Sequence, residues 1–182
     1  MLVASTAMLV AVSLSGCFVQ ETPDATSAPS PSQTPVFATE EEALAAATEA
    51  YEKYLKVSDA VFEAGGSNPE LLATVALGAA LESGEADALE FRNSGLHSAG
   101  STSVSSMTIQ SYLADAGSTE FEVAAYVCED ISSVDILDSN GKSLVAPNRS
   151  NYQSFEIGFS APGPGPELVL TRRDIWEGVG VC

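Results

Sequence analysis

Few side chains in this sequence could do covalent or acid–base chemistry unaided: three cysteines, one histidine, and a surplus of carboxylates over basic groups of 25 to 7. His97 lies in a Ser/Gly-rich stretch that reads as a loop, so a zinc cluster or a Ser-His-Asp relay would depend on one mobile residue. A solvated loop histidine is the expectation. A Cys-His-acid thiol site is no better supplied, because Cys128 falls in an apolar strand pattern. Asp138-Ser139-Asn140-Gly141 has the composition of a calcium loop, but aligning Gly141 with the invariant glycine puts Ile136 first and Pro147 twelfth, where oxygen ligands are required. No phosphate-cradling glycine loop or dinucleotide fingerprint follows a strand. Arg172 and Arg173, adjacent on a strand, send their guanidinia to opposite faces. One could pair with an acid such as Asp135 or meet an anionic ligand, and structural pairing is the expectation. Neither a metal nor a cofactor is expected.

Cys17 has a different setting. It ends Leu14-Ser15-Gly16-Cys17, after a charge-free apolar run from Met1 to Leu14 of the length of a signal h-region. This resembles the lipobox of bacterial lipoproteins, in which a diacylglycerol joins the cysteine sulfur before the leader is cleaved. The resemblance implies a signal peptide over 1–16, a lipidated Cys17, and attachment to the outer face of the cell membrane through that lipid. No lysine or arginine precedes Lys53, so a basic n-region would have to come from a start upstream of Met1. With Phe18, Val19 and Gln20 the apolar run approaches the ~20 residues of a membrane helix, and an uncleaved anchor is the alternative. Residues 17–36 then form a Pro/Ser/Thr-rich tether too poor in large apolar side chains to offset its ordering entropy.

The folded part is expected at 37–182, as one domain with no internal repeat. A formal net charge of −18 argues against nucleic acid and anionic lipid surfaces, whose recognition requires cations on the protein. Once Cys17 is assigned to lipid, export leaves Cys128 and Cys182 as an even pair in a compartment where disulfides persist. A bond between them is expected, with two buried free thiols as the alternative.

Positioning elements follow from hydrophobic period. Thr39 and Glu42 predict a capping box, and Leu44, Ala47, Tyr51, Tyr54, Leu55, Ser58 and Phe62 form one face of a long helix ending at Gly65-Gly66. Asn68-Pro69-Glu70 predicts a second helix bearing Leu71, Leu72 and Val75, broken near Gly78. Leu81, Ala88, Leu89 and Arg92 mark a third, stopping near Asn93-Ser94-Gly95. After Gly100 the period becomes two. Strands are expected around Met107-Ile109-Leu113, Phe121–Val127, Val134-Ile136, Phe155–Phe159 and Leu168–Thr171, with turns at 115–118, at Asn140-Gly141 and in the Pro/Gly run 162–166. The class is α+β: N-terminal helices packed on a curved antiparallel sheet.

A long helix bearing Tyr51 and Tyr54, further helices, then a sheet ending near Trp176-Glu177-Gly178 resembles the nuclear transport factor 2-like superfamily, which includes ketosteroid isomerase-like proteins. Within it, Val127-Cys128 and Trp176-Glu177-Gly178-Val179-Gly180-Val181-Cys182 resemble uncharacterised exported actinobacterial lipoproteins. The resemblance implies a cone-like fold with an apolar cavity, for which Tyr51, Tyr54, Phe62 and Tyr126 are candidate lining residues. It implies two functions of different class. One is a non-catalytic module holding a small apolar ligand or an envelope protein. The alternative is a small-molecule isomerase or lyase, in which a carboxylate such as Asp135 or Asp174 and a tyrosine would converge on the pocket.

Overall fold

The computed structural model describes residues 37–112, 121–162 and 167–182. Cys17, the apolar segment, the tether and the expected turn at 115–118 lie outside the described residues, as does 163–166 of the Pro/Gly run.

Helix α1 spans Glu40–Glu63. The backbone N–H of Glu42 donates to Thr39 Oγ1 at 3.2 Å, and the Glu42 carboxylate accepts from Ala38 N at 3.0 Å. The reciprocal bond of the capping box therefore lands one residue before the cap, while Glu40, Glu41 and Glu42 face the positive end of the helix dipole. The buried face holds Ala43, Ala47, Ala50, Tyr51, Tyr54, Leu55 and Val61. It is wider than the expected stripe, because α1 packs on the sheet and also against the second helix.

The second expected helix is a 3₁₀ turn, Pro69–Thr74, entered through Asn68 at φ 55° with no side-chain cap. Gly78, expected to break a helix, instead begins one: α2 runs Gly78–Asn93 and ends where the sequence indicated. The α1-to-α2 connection turns on Gly66, at φ +72°, where a Cβ would overlap the carbonyl oxygen of Ala88. Gly66→Ala is expected to cost about 3 kcal/mol, combining ~1–2 for the left-handed backbone with ~1–3 for overpacking. Gly95→Ala, at φ +66° but facing open space, should cost only the first part. Urea midpoints of the two variants check the contrast.

Six strands follow: β1 His97–Ala99, β2 Ser103–Tyr112, β3 Val123–Asp130, β4 Asp135–Leu137, β5 Tyr152–Ser160 and β6 Val169–Ile175. β2, β3, β5 and β6 form an open antiparallel sheet in that order, and β1 pairs with β4 in a separate two-stranded sheet. The class is α+β, as the sequence indicated, though the sheet does not close. β1, where a loop was expected, takes a strand form through the register His97↔Leu137. At the Asn140-Gly141 turn Asp138 Oδ1 accepts from the amides of Asn140 and Lys142, and those bonds lower its pKa.

Helices cover one face of the main sheet. Val123, Ala125 and Val127 on β3, Phe155, Ile157 and Phe159 on β5, and Leu170 on β6 meet Ala47, Tyr51 and Leu72 there in a single core. The segment Trp176–Cys182 leaves β6 and is fixed by a Cys128–Cys182 disulfide, with the two Cα atoms 5.2 Å apart. No helix among the described residues is long and apolar enough to cross a membrane.

Candidate functional site

On β3 the period that buries Val123, Ala125 and Val127 carries one step further, to Glu129. A carboxylate thereby enters the core face, 2% exposed. Burying it unpaired would be prohibitive, and three groups meet it. Tyr51, from the middle of α1, donates its hydroxyl to Glu129 Oε1 at 2.5 Å. Arg173 Nη2 donates to Oε1 at 2.8 Å and to Oε2 at 3.0 Å, while Arg173 Nε donates to the Tyr51 oxygen at 2.9 Å. The three side chains thus close a ring.

Electrostatics fix the protonation of this ring. Burial, reinforced by the Glu129 charge and opposed by Arg173, raises the Tyr51 phenol well above its ordinary value, so it remains a donor. For Arg173, burial works against the charge, but Tyr51 and Glu129 more than offset it and the guanidinium is held more firmly protonated than usual. Its planar face lies over Phe155, with Cζ 3.5 Å from the ring centroid.

Above this ring opens a cleft of about 350 Å³ between α2 and the β5–β6 edge. Arg173, Phe155 and Tyr54 line it together with Ser83, Gly84, Asp87, Gln153 and Ile175. Burial raises the Tyr54 phenol as well, against the pull of Arg173. Gly84 is buried there: a Cβ would sit 3.1 Å from Leu72 Cδ1 and 4.0 Å from the Tyr54 hydroxyl. A glycine thus keeps α2 close to α1 at the cleft wall.

The four candidate lining residues do not share one cavity. Tyr51 and Tyr54 stack with centroids 5.8 Å apart, Tyr51 beneath the cleft and Tyr54 in its wall. Phe62 lies near the other end of α1, edge-to-face with Phe91 at 5.0 Å, in a shallow depression with Leu96. Tyr126 is on the opposite face of the sheet, against Trp176 at 4.6 Å and accepting from Gln110 at 2.7 Å. Strand alternation separates it from the tyrosines of α1.

The named acids are elsewhere too. Asp135 accepts from Ser143 Oγ at 2.6 Å beside the two-stranded sheet, and Asp174 pairs with Arg172 at 3.4 Å on the outer face. The two arginines do diverge, and both pair: Arg172 with Glu156 at 3.0 Å, Arg173 with Glu129, neither with Asp135. Asp59 on α1 is a further half-buried carboxylate. Burial raises its pKa, partly countered by hydrogen bonds from Thr102 N and Oγ1. Among the described residues no group of three or more His, Cys, Asp or Glu could hold a metal ion.

Glu129 is the functional candidate the sequence reading missed, although its inward phase on β3 was a signal. Within the ring the carboxylate is shut off from solvent. Both Glu129 oxygens accept from Arg173, one also from Tyr51, and the Tyr51 proton is committed to Glu129. Arg173 Nη1 is the one polar atom of the ring without a hydrogen bond among the described residues, and its side chain is 24% exposed at the cleft.

Comparison with known proteins adds little to this geometry. No protein-family model matches the chain, and no curated protein matches it. Among solved structures it is similar to the intermembrane space region of the chloroplast protein ARC6, at 19% identity over 72% of this chain and 95% of that one, with a TM-score of 0.46. It is also similar to a de novo β-sheet design, at 14% identity over 77% and 92%, with a TM-score of 0.32. Likeness at this level carries no argument about activity.

Proposed function

We propose that this protein is an exported, lipid-anchored domain that binds a ligand or an envelope partner at the outer face of the cell membrane without transforming it. The observation that carries the non-catalytic part is the burial of the Glu129 carboxylate within the Tyr51–Glu129–Arg173 ring. General-base work needs a carboxylate lone pair that the substrate proton can reach, and Glu129 is 2% exposed, with three of its acceptor sites held by Tyr51 and Arg173. The acids named for an isomerase, Asp135 and Asp174, stand away from Tyr51 and Tyr54, so the enzymatic reading lacks its pair. Support for export comes from the lipobox-like Leu14-Ser15-Gly16-Cys17 and from the Cys128–Cys182 disulfide, a bond typical of oxidising compartments. The resemblance to the nuclear transport factor 2-like superfamily implies a ligand pocket, and the cleft between α2 and the β5–β6 edge is compatible with a binding role.

The anchoring is tested by growing bacteria that express the full chain with an alkyne fatty acid. The expected result is label on the protein and recovery with membranes, both lost in Cys17→Ser. Equal labelling of the two chains, or none of either, overturns it.

A further inference from the structure

Resting on the reading of this domain as a binding module, we infer that the cleft over Arg173 takes a small neutral molecule that presents a carbonyl or similar acceptor to Arg173 Nη1 and lays an apolar body on Ile175. A volume of about 350 Å³ is at the lower end of small-molecule sites, enough for one ring and a short polar arm.

An arginine in a cleft first suggests an anion, but the charges here oppose one. Glu129 already neutralises Arg173 through both of its oxygens. Asp87 stands in the cleft wall, and the chain as a whole carries −18. A ligand carboxylate would be desolvated against a guanidinium whose charge is already matched. The Nη1 protons remain as donors, fixed in direction because Nε and Nη2 are held by Tyr51 and Glu129 and the plane is held over Phe155. A neutral acceptor gains that preorganised hydrogen bond without adding charge. Ile175 lines the same cleft as Arg173 and is 65% exposed, so the apolar contact lies beside the donor. Gly84 keeps the wall free of a side chain between them and Tyr54.

The test compares two probes of nearly equal shape, phenylacetamide and phenylacetate. Each is titrated into the ¹⁵N-labelled full chain carrying Cys17→Ser, followed through the Gly84 and Gln153 amides and the Arg173 Nε–H. With a ligand this small, Kd is expected on the order of 1 mM for the amide. Saturable shifts at these three groups should appear with the amide and be at least several-fold weaker with the acid. Ser83→Phe, an exposed position on α2 that fills the cleft mouth, should abolish them while leaving the rest of the spectrum in place. The inference is overturned by the absence of saturable shifts, by tighter binding of phenylacetate, or by unchanged binding in Ser83→Phe. Because the unacylated chain is used, failure here leaves the membrane anchor standing, and failure of the fatty-acid labelling leaves the cleft result intact.

Discussion

Glu129→Ala is expected to lower the unfolding free energy by about 3–5 kcal/mol, a fall of ~10 °C in Tm for a domain of this size. The effect does not measure the attraction between Glu129 and Arg173. It measures what is left behind. Arg173 cannot shed its proton, so removing the carboxylate leaves a charged guanidinium facing Tyr51, with the Phe155 ring as its remaining cover. Arg173→Met should be nearly as costly, since it strands Glu129 in the core with one donor, Tyr51. Tyr51→Phe removes one neutral donor and should cost about 1–3 kcal/mol. The decisive variant is the double substitution Glu129→Leu with Arg173→Met, which removes both charges at near-constant volume. It is expected to be more stable than either charge-removing single variant, because no uncompensated buried charge remains. Urea denaturation of the unsubstituted chain, Glu129→Leu, Arg173→Met and the double variant provides the cycle. Additive losses in the double variant would mean that the ring contributes through packing, and its assignment as a coupled charge pair would fail.

The face to which each arginine turns could not have been taken from strand alternation alone. Leu168 and Leu170 are buried, and continuing that period would carry Arg172 inward. The β5–β6 register slips between Gly158 and Phe159, however: Phe159 pairs with Leu170 while Gly158 pairs with Arg172, so Thr171 is the extra residue. The bulge reverses the phase and turns Arg173, not Arg172, toward Glu129. Alternation did foretell that the two would diverge; only long-range pairing decided which would enter the core. Helices were more legible, because caps and spacings act within a few residues. Thr39 caps α1, and the break at Gly65-Gly66 is where the periodicity put it. Where local signals competed, the reading slipped. Asn68-Pro69 has the composition of a helix start, yet Asn68 adopts a left-handed backbone and the turn after it stays 3₁₀, because Ala76 must bridge to Leu170 on β6. β1 was unreadable for a related reason: three residues, His97–Ala99, become a strand through β4, far along the chain. Tyr126 was grouped with Tyr51 and Tyr54 by residue type, and strand parity places it on the other face. Glu129 was passed over although its inward phase demanded a partner, and that demand was the most direct sequence clue to the site.

Breaking the Cys128–Cys182 bond should lower stability by about 2–4 kcal/mol, with the upper figure following from loop closure over a sequence separation of 54. In the chain-entropy account the loss arises in the unfolded ensemble, which regains the freedom of that loop. The folded state should respond as well, in a way that distinguishes local release from global unfolding. Cys128 lies on the outer face of β3, and the bond holds Trp176–Cys182 against that face, where Trp176 packs on Tyr126 and Ser106 Oγ donates to the Val181 carbonyl at 3.4 Å. Val179, between them, is 97% exposed, and beyond these contacts the hydrogen bond from the Trp176 amide to the Ser154 carbonyl at 2.9 Å ties the start of the segment to β5. Trp176 is the single tryptophan of the sequence and reports the detachment directly. In a chain carrying Cys17→Ser, where no third thiol can exchange, Cys182→Ala is expected to shift tryptophan emission to the red before any change in far-ultraviolet circular dichroism. The urea midpoint should then fall by the stated amount. Glu129 neighbours Cys128 but points to the opposite face, so the ring beneath the cleft should survive and the cleft amides should keep their positions. A chain whose midpoint and emission are both unmoved by Cys182→Ala would show that the bond neither restricts the unfolded chain nor holds the Trp176 segment. Simultaneous loss of both signals would show instead that the segment is continuous with the core of the sheet.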